Sequence, residues 1–228
     1  GNAIKVPGKS IAAISSPLVA KALEKQDYKE TQTLYTKSSI NQLIIAGVLF
    51  LCIWLNIDDI FSLLPAKFQG GKWVVFYISI AQLFNMITGI NGTIIVNSKY
   101  YRYDLYTNVI LVLTTVITNY FLILKYGIDG AAMATAISIS LFNLIRLILI
   151  KVKMNMHPFS LQTIKTILLL FVMFFALDFL PNSSYAFVDI IWKSIVVFIL
   201  FISAVMYFKL SEDINEVIIE VRKKISRQ

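Results

Sequence analysis

The sequence predicts an all-α polytopic membrane protein, and three observations support this fold class. Hydrophobic residues make up 57% of the 228 residues and charged residues only 15%, whereas roughly 25% of residues in soluble domains are charged. Mean hydropathy is +0.73. Apolar runs also recur along the chain, each near the ~20 residues that a helix needs to cross about 30 Å of hydrocarbon. Helices are expected because no water satisfies backbone groups at that depth.

Six apolar runs are the predicted transmembrane helices. They cover residues 40–57, 73–97, 105–124, 130–150, 161–180 and 188–208. We therefore divide the chain into a partial cavity helix with a cytoplasmic linker helix (1–38), a six-helix transmembrane region (39–208) and a cytoplasmic tail (209–228).

The flanking segments also carry helix signals. Ser15 or Ser16 before Pro17 predicts a helix start, with a polar linker helix running from Pro17 to about Ser38. In the tail, Ser211 is a predicted N-cap. The tail has one apolar stripe, which predicts an amphipathic helix; the stripe consists of Ile214, Val217, Ile218, Val221 and Ile225.

A helical hairpin is predicted within residues 120–143, where two apolar runs are joined by a short turn containing Gly127 and Gly130. Beyond the turn, Gly130, Ala134 and Ser138 follow at a spacing of four residues. Small residues at this spacing give the helix a face that a neighbouring backbone can approach closely, which favours association in lipid.

The second apolar run contains more polar residues and glycines than a lipid-facing helix tolerates. Asn85, Gly89, Asn91 and Gly92 lie near its middle. One interpretation is a helix that bends or unwinds at residues 89–92 and lines a substrate path, as in transporters with discontinuous helices. The other is close packing with interhelical hydrogen bonds, and the sequence favours neither.

The basic residues indicate the orientation in the membrane. Alternate loops and the tail hold most of them, in positions 21, 25, 29, 37, 99, 102, 151, 153, 165, 209, 222, 223, 224 and 227, whereas the other loops hold only Lys67, Lys72, Lys125 and Lys193. The positive-inside rule then places both ends of the chain in the cytoplasm. The net charge of +8 is explained by this topology signal, and nucleic-acid binding is not expected.

Charged residues inside the apolar runs are nearly absent, and no buried Asp or Glu is expected. Arg146 lies about one turn from Lys151, so it is expected to anchor the helix at the interface. Lys5 and Lys9 have two interpretations. On a helix entering from outside they would lie near mid-bilayer and face a water-filled cavity that holds an anion. Alternatively, residues 1–16 are part of a basic cytoplasmic segment.

Catalysis is poorly supported, so no catalytic residue, metal or cofactor is predicted. His157 stands alone, without a Cys or carboxylate at ligand spacing. The pair Asp58 and Asp59 has no companion motif, and there is no Gly-rich phosphate loop with its lysine. Cys52 is the single cysteine, which excludes an intrachain disulfide.

Three segments resemble a known family. The run Lys125-Tyr-Gly-Ile-Asp-Gly-Ala-Ala-Met-Ala-Thr135 resembles a hairpin of the multidrug/oligosaccharidyl-lipid/polysaccharide flippase superfamily, and Asn91-Gly-Thr-Ile-Ile-Val-Asn-Ser-Lys-Tyr-Tyr101 resembles the preceding helix end in its polysaccharide-exporter branch, which includes the O-antigen flippases. Residues 4–23 are similar to the eighth helix of that branch and the following link. The resemblance covers about residues 1–210.

The resemblance implies a protein of two lobes that alternates between inward-open and outward-open states. The chain begins Gly1-Asn2-Ala3 without a Met, and we expect it to be the C-terminal lobe of a longer protein, here without its N-terminal lobe. Lys5 and Lys9 would then lie in a cavity and hold the diphosphate of an undecaprenyl-linked oligosaccharide. Asn85 and Asn91 would line that cavity, while Gly89, Gly92, Gly127, Gly130 and Ala134 would serve packing and bending.

The implied activity is translocation of lipid-linked oligosaccharide across the bacterial cytoplasmic (inner) membrane for polysaccharide biosynthesis. Expected partners are the substrate, membrane lipids, the missing lobe, and polysaccharide polymerases or glycosyltransferases. Two alternatives stay open from the sequence. One is a multidrug or cation antiporter of the same superfamily, and the other is a truncated, non-transporting scaffold protein.

Overall fold

The computed structural model describes residues 2–177, 179–181 and 185–216, with side chains except those of residues 2–7, 67 and 69. Within these ranges the chain is helical and contains no strand. The helices are α1 (Asn2–Glu24), α2 (Tyr28–Leu55), α3 (Ile57–Ser62), a 3₁₀ segment (Ala66–Gly71), α4 (Lys72–Ile87), α5 (Asn91–Asn97), α6 (Arg102–Met154), α7 (Leu161–Leu177) and α8 (Ala186–Tyr207).

The helices form an all-α membrane fold. Three helices, α2, α6 and α8, are long and apolar enough to cross a membrane, and α4 with α5 forms a fourth candidate that is bent by 47°. Helix α6 folds back at Gly127 into a first arm (102–126) and a second arm (128–154), so it supplies two spans. The apolar α7 is shorter, at 17 residues.

Helix α2 is the centre of the bundle. It packs against α1, α4, α7 and α8. One hydrophobic cluster joins α2 to α7 and α8, with Leu51 and Phe201 fully buried. A second cluster joins α2 to α1, α5 and α6 around Tyr35 and Ile94. Packing on several sides buries polar positions of α2 that an exposed linker helix would leave in water.

The predicted linker helix from Pro17 to about Ser38 is wrong. Pro17 lies inside α1 with its ring on the exposed side, where its missing N–H costs a single helical hydrogen bond. The break comes later, at Gln26, whose φ is +57°. Asp27 then caps α2 by accepting a 2.8 Å hydrogen bond from the backbone N–H of Glu30. The sequence carried this signal, since an acidic cap residue followed three positions later by Glu is typical of a helix start.

The turns gather at two ends of the bundle. At one end, which we call the basic face, Gln32 exchanges hydrogen bonds of 2.6 and 3.0 Å with the backbone of His157. At the other end, the opposite face, Lys193 contacts Asp59 at 2.9 Å. The two sets of loops that differ in basic residues therefore lie on different ends of the fold, as the alternation of spans requires.

The tail begins as expected and is held against α2. Ser211 accepts a 3.2 Å hydrogen bond from the N–H of Ile214, which confirms the predicted cap, and residues 212–216 are helical. The Ser211 hydroxyl also donates to Asn41 at 2.5 Å, and the Asn41 amide donates to Asp213 at 2.7 Å. The rest of the predicted amphipathic helix, including Val217, Ile218, Val221 and Ile225, lies outside the described residues.

Candidate functional site

A break in the helix formed by α4 and α5 lies at the middle of the candidate site. Helix α4 ends at Ile87 and α5 begins at Asn91. Between them Gly89 has a φ of +61°, a conformation that costs glycine little and other residues more. The run is therefore bent, as one of its two interpretations has it, and the interhelical hydrogen bonds of the other interpretation are also present.

Helix α2 supports the break from one side. The hydroxyl of Ser39 donates a 2.6 Å hydrogen bond to the carbonyl oxygen of Ile87. A β-carbon at Gly89 would lie 3.0 Å from the Ser38 hydroxyl and 3.1 Å from the backbone of Ser39. Gly89 is thus required both for its φ and for the close approach of α2.

The second arm of α6 supports the break from another side through Asn143, which is 1% exposed. Its Oδ1 accepts hydrogen bonds of 3.0 Å from the Thr88 hydroxyl and from the Asn91 amide. Its own amide donates to Oδ1 of Asn85 at 3.0 Å and to the Ile139 carbonyl at 2.9 Å. One asparagine therefore bonds to residues before, within and after the break. Sequence reasoning did not single out Asn143, although a polar residue within an apolar run is a signal.

Arg146 lies on the next turn of the same arm and does more than anchor the helix at the interface. Its guanidinium forms an ion pair with Asp104 of the first arm and lies 3.9 Å from the centroid of the Phe142 ring. It also donates a 3.3 Å hydrogen bond to Thr107. A β-carbon at Gly92 would lie 2.7 Å from the guanidinium, so the small size of Gly92 makes room for it. Arg146 thereby links both arms of α6 to the start of α5.

The hairpin packs as predicted. Gly127 has a φ of +56° and is the point at which α6 reverses direction. A β-carbon at Gly130 would overlap with the carbonyl oxygen of Leu122. Ala134 and Ser138 are buried, and the hydroxyl of Ser138 lies 3.2 Å from that of Thr118. The small face of the second arm thus packs against the first arm of the same hairpin.

The structure does not bring Lys9 together with Asn85 and Asn91. Lys9 is exposed on α1 and makes no hydrogen bond or ion pair with either asparagine. The neighbouring Gly8 faces the bundle, where a β-carbon would lie 2.7 Å from the side chain of Met86. The side chain of Lys5 lies outside the described residues.

A buried ionic cluster corrects the expectation that the spans hold no buried acid. Asp189 is 0% exposed and Lys193 is 4% exposed, one turn apart at the start of α8. The Lys193 ammonium lies 2.9 Å from Asp59 and 3.6 Å from Asp189. The indole N–H of Trp192 donates to Asp189 at 2.8 Å. The cluster sits on the opposite face and joins α8 to α3.

An apolar groove runs between α2, α4 and α7. It has a volume of about 500 Å³, and the aromatic rings of Phe50, Phe76, Phe84, Phe171 and Phe174 line it. Its lining is almost wholly hydrocarbon, so it suits an aliphatic chain rather than a polar solute.

Comparison with known proteins gives one structural likeness. No protein-family model and no curated protein sequence matches the chain. Among solved structures, the fold is similar to that of the lipid II flippase MurJ in an inward closed conformation, with a TM-score of 0.68 and 19% sequence identity. The match covers 90% of this chain and 45% of the MurJ chain. The chain therefore spans a little under half the length of that flippase.

Proposed function

We propose that the chain is one lobe of a flippase that moves an oligosaccharide linked to undecaprenyl diphosphate across the bacterial cytoplasmic membrane. The observation that supports this most is the likeness to MurJ, which extends over 90% of the chain. Alternating access requires two lobes that move against each other. We therefore propose that transport needs a second lobe, while part of the substrate site lies on this one.

The proposed substrate site is the exposed side of α1. Lys9 is exposed there, and Lys5 precedes it by four residues, which is one helical turn. Two lysines at this spacing supply positive charge that suits the diphosphate of the lipid-linked substrate. The polyprenyl chain stays in the bilayer, and the groove between α2, α4 and α7 offers it an apolar surface.

Asn85 and Asn91 take a different role in this proposal. Their amides bond to Asn143, so we assign them to holding the bent helix in place behind the cavity. Gly89 and Gly92 keep the bend close to α2 and to Arg146. In a lobe that moves as a unit, this network keeps the bend fixed, so that the substrate meets a rigid surface.

Binding to the purified chain tests the proposal without needing the second lobe. Native mass spectrometry would compare two lipids with the same glycan and polyprenyl chain, one joined by a diphosphate and one by a monophosphate. We expect preference for the diphosphate, and loss of that preference in a Lys5→Gln/Lys9→Gln variant but not in Lys21→Gln. Equal binding of the two lipids, or an unchanged preference in the double variant, would contradict the assignment. Stronger binding of an organic cation would favour the antiporter.

Cysteine accessibility tests the proposed orientation. In a chain with Cys52→Ser, a single cysteine is introduced by Lys151→Cys on the basic face or by Asp58→Cys on the opposite face. We expect an impermeant thiol reagent to label position 58 in intact cells and position 151 only in inverted vesicles. The reverse pattern would place the basic face outside and overturn the positive-inside assignment.

A further inference from the structure

A polar pocket of about 690 Å³ opens on the basic face. It lies between the end of α1, the turn that follows α5 and the end of α6. Its lining includes the side chains of Lys99, Lys153, Tyr100, Asn97 and Asn155, together with one carboxylate, Glu24. The proposed flippase mechanism uses none of these residues.

The two lysines are available to a ligand. Among the described residues, neither Lys99 nor Lys153 forms an ion pair. Tyr100 joins them to one site: its ring lies 5.4 Å from the Lys99 ammonium, and its hydroxyl donates a 3.3 Å hydrogen bond to the Lys153 carbonyl. The Lys153 ammonium lies 5.8 Å from the ring of Tyr103. Contacts with aromatic rings hold the ammonium groups without using their hydrogen-bond donors.

The pocket continues into an apolar strip on the outer surface of α6. Val152 lines the pocket and is 72% exposed. Ile148 and Leu144 follow at intervals of four residues toward the middle of the bundle, and both side chains are exposed. In a membrane these side chains face hydrocarbon. If the polar group of a molecule fills the pocket, the apolar part of that molecule lies along Val152 and Ile148.

We propose that this pocket binds the headgroup of an anionic phospholipid, with its acyl chains along the Val152 strip. Two lysines and only one carboxylate in the lining favour a phosphate, and the side-chain amide of Asn155 can donate to glycerol oxygens. The continuous apolar strip favours a lipid over a soluble phosphate. Basic pockets between transmembrane helices at the cytoplasmic surface are known to bind anionic headgroups, and this proposal places the basic face there.

Lipid titration of the purified chain in detergent, measured by native mass spectrometry, tests the proposal. The probes are phosphatidylglycerol, phosphatidylcholine with the same acyl chains, polyprenyl diphosphate and glycerol 3-phosphate. We expect phosphatidylglycerol to bind more tightly than phosphatidylcholine. Lys99→Gln/Lys153→Gln should weaken phosphatidylglycerol binding by about tenfold or more, because each lysine near an anionic surface is worth about 1 kcal/mol.

Two matched variants complete the design. Lys21→Gln/Lys25→Gln removes the same charge from exposed positions at the same end of the bundle, outside the pocket, and should leave phosphatidylglycerol binding unchanged. Lys99→Arg/Lys153→Arg should retain binding. Equal losses in the two glutamine variants would show a diffuse charge effect and overturn the pocket assignment.

The other probes separate the sources of phosphate. Displacement of phosphatidylglycerol by equimolar glycerol 3-phosphate would identify a soluble-phosphate site and overturn the lipid proposal. A third result is that polyprenyl diphosphate binds more tightly than phosphatidylglycerol and loses this binding in Lys99→Gln/Lys153→Gln. That result would identify the pocket as a substrate site and would also overturn the lipid proposal. None of these outcomes depends on Lys5 or Lys9, so the pocket and the proposed flippase site can fail independently.

Discussion

Ser39 in α2 donates its hydroxyl proton to the carbonyl oxygen of Ile87, the last residue of α4, at 2.6 Å. A helix that breaks leaves carbonyl groups without their usual partners, and in a membrane interior no water takes that place. The central helix of the bundle thus satisfies a backbone group at the point where the bent helix is interrupted.

The first prediction is that Ser39→Ala destabilises the bent helix. The substitution leaves the Ile87 carbonyl buried without this donor, which costs about 1–3 kcal/mol. We expect a lower apparent unfolding temperature in detergent, together with faster amide hydrogen exchange at residues 88–92. Ser203→Ala is the matched control because Ser203 is exposed on α8. Equal behaviour of the two variants would mean that Ser39 contributes nothing specific to the break.

The second prediction concerns Asn143→Ala. This variant loses three side-chain hydrogen bonds to Asn85, Thr88 and Asn91, each worth roughly 0.6 kcal/mol between transmembrane helices. The expected loss of stability is therefore about 2 kcal/mol. Thermal unfolding in detergent measures it, with Asn108→Ala as control, since Asn108 bonds only to Asp104 one turn earlier on its own helix. A loss no larger than that of the control would contradict the role of Asn143.

The third prediction tests the packing of the hairpin. With Cys52→Ser, the pair Thr118→Cys/Ser138→Cys should form a disulfide, because the two native hydroxyls lie 3.2 Å apart. Adding Gly130→Val should reduce disulfide formation, since the new side chain overlaps with the Leu122 carbonyl and separates the arms. Gly70→Val is the control, because nothing lies within 4 Å of a β-carbon there. Unreduced disulfide formation with Gly130→Val would show that the arms do not pack through this glycine.

The hairpin could be predicted because it depends on local signals, whereas similar signals at residues 89–92 left the bend as one of two interpretations. Glycines inside an apolar run have few explanations other than a turn, a break or a close approach, and Gly89, Gly127 and Gly130 serve those purposes. The start of α2 was missed because Pro17 was given more weight than the capping signal at Asp27. A proline on the exposed side of a helix is tolerated, so its position did not mark a boundary.

The polar contacts of the site could not be predicted to the same extent because their partners are distant in sequence. The spacing of Asp189 and Lys193 indicates a possible pair on one helix, but Asp59 comes from a segment more than a hundred residues earlier. Likewise, the sequence marks Asn143 only as polar, and the geometry of α4 and α5 decides which groups it meets. The residue types indicate which polar interactions these side chains can form, while the packing of the helices determines which residues they meet.

The fourth prediction concerns the start of the tail. Lys37 forms ion pairs with Glu212 at 3.2 Å and Asp213 at 3.3 Å, and Asn41 bonds to Asp213 at 2.7 Å. We expect Lys37→Ala/Asn41→Ala to release residues 211–216, which would raise their amide hydrogen exchange and their cleavage by protease. Lys29→Ala/Thr33→Ala removes exposed residues one to two turns earlier on α2 and should leave the tail protected. Unchanged protection in the first variant would show that Ile214 packing alone holds the segment.

The last prediction compares two lysines on the opposite face. Lys193→Met removes the buried ammonium that contacts Asp59 and Asp189, and breaking a buried ion pair in this way costs about 3–5 kcal/mol. Lys72→Met removes an exposed partner of Asp58, and an exposed pair is worth about 0–1 kcal/mol. Thermal unfolding in detergent should therefore show a large loss only for Lys193→Met. Adding Asp59→Asn and Asp189→Asn to Lys193→Met should restore much of the stability, because the two side chains that contacted the ammonium are then neutral. A triple variant as unstable as Lys193→Met would show instead that the methylene chain of Lys193 matters through packing, and that the ionic contacts are secondary.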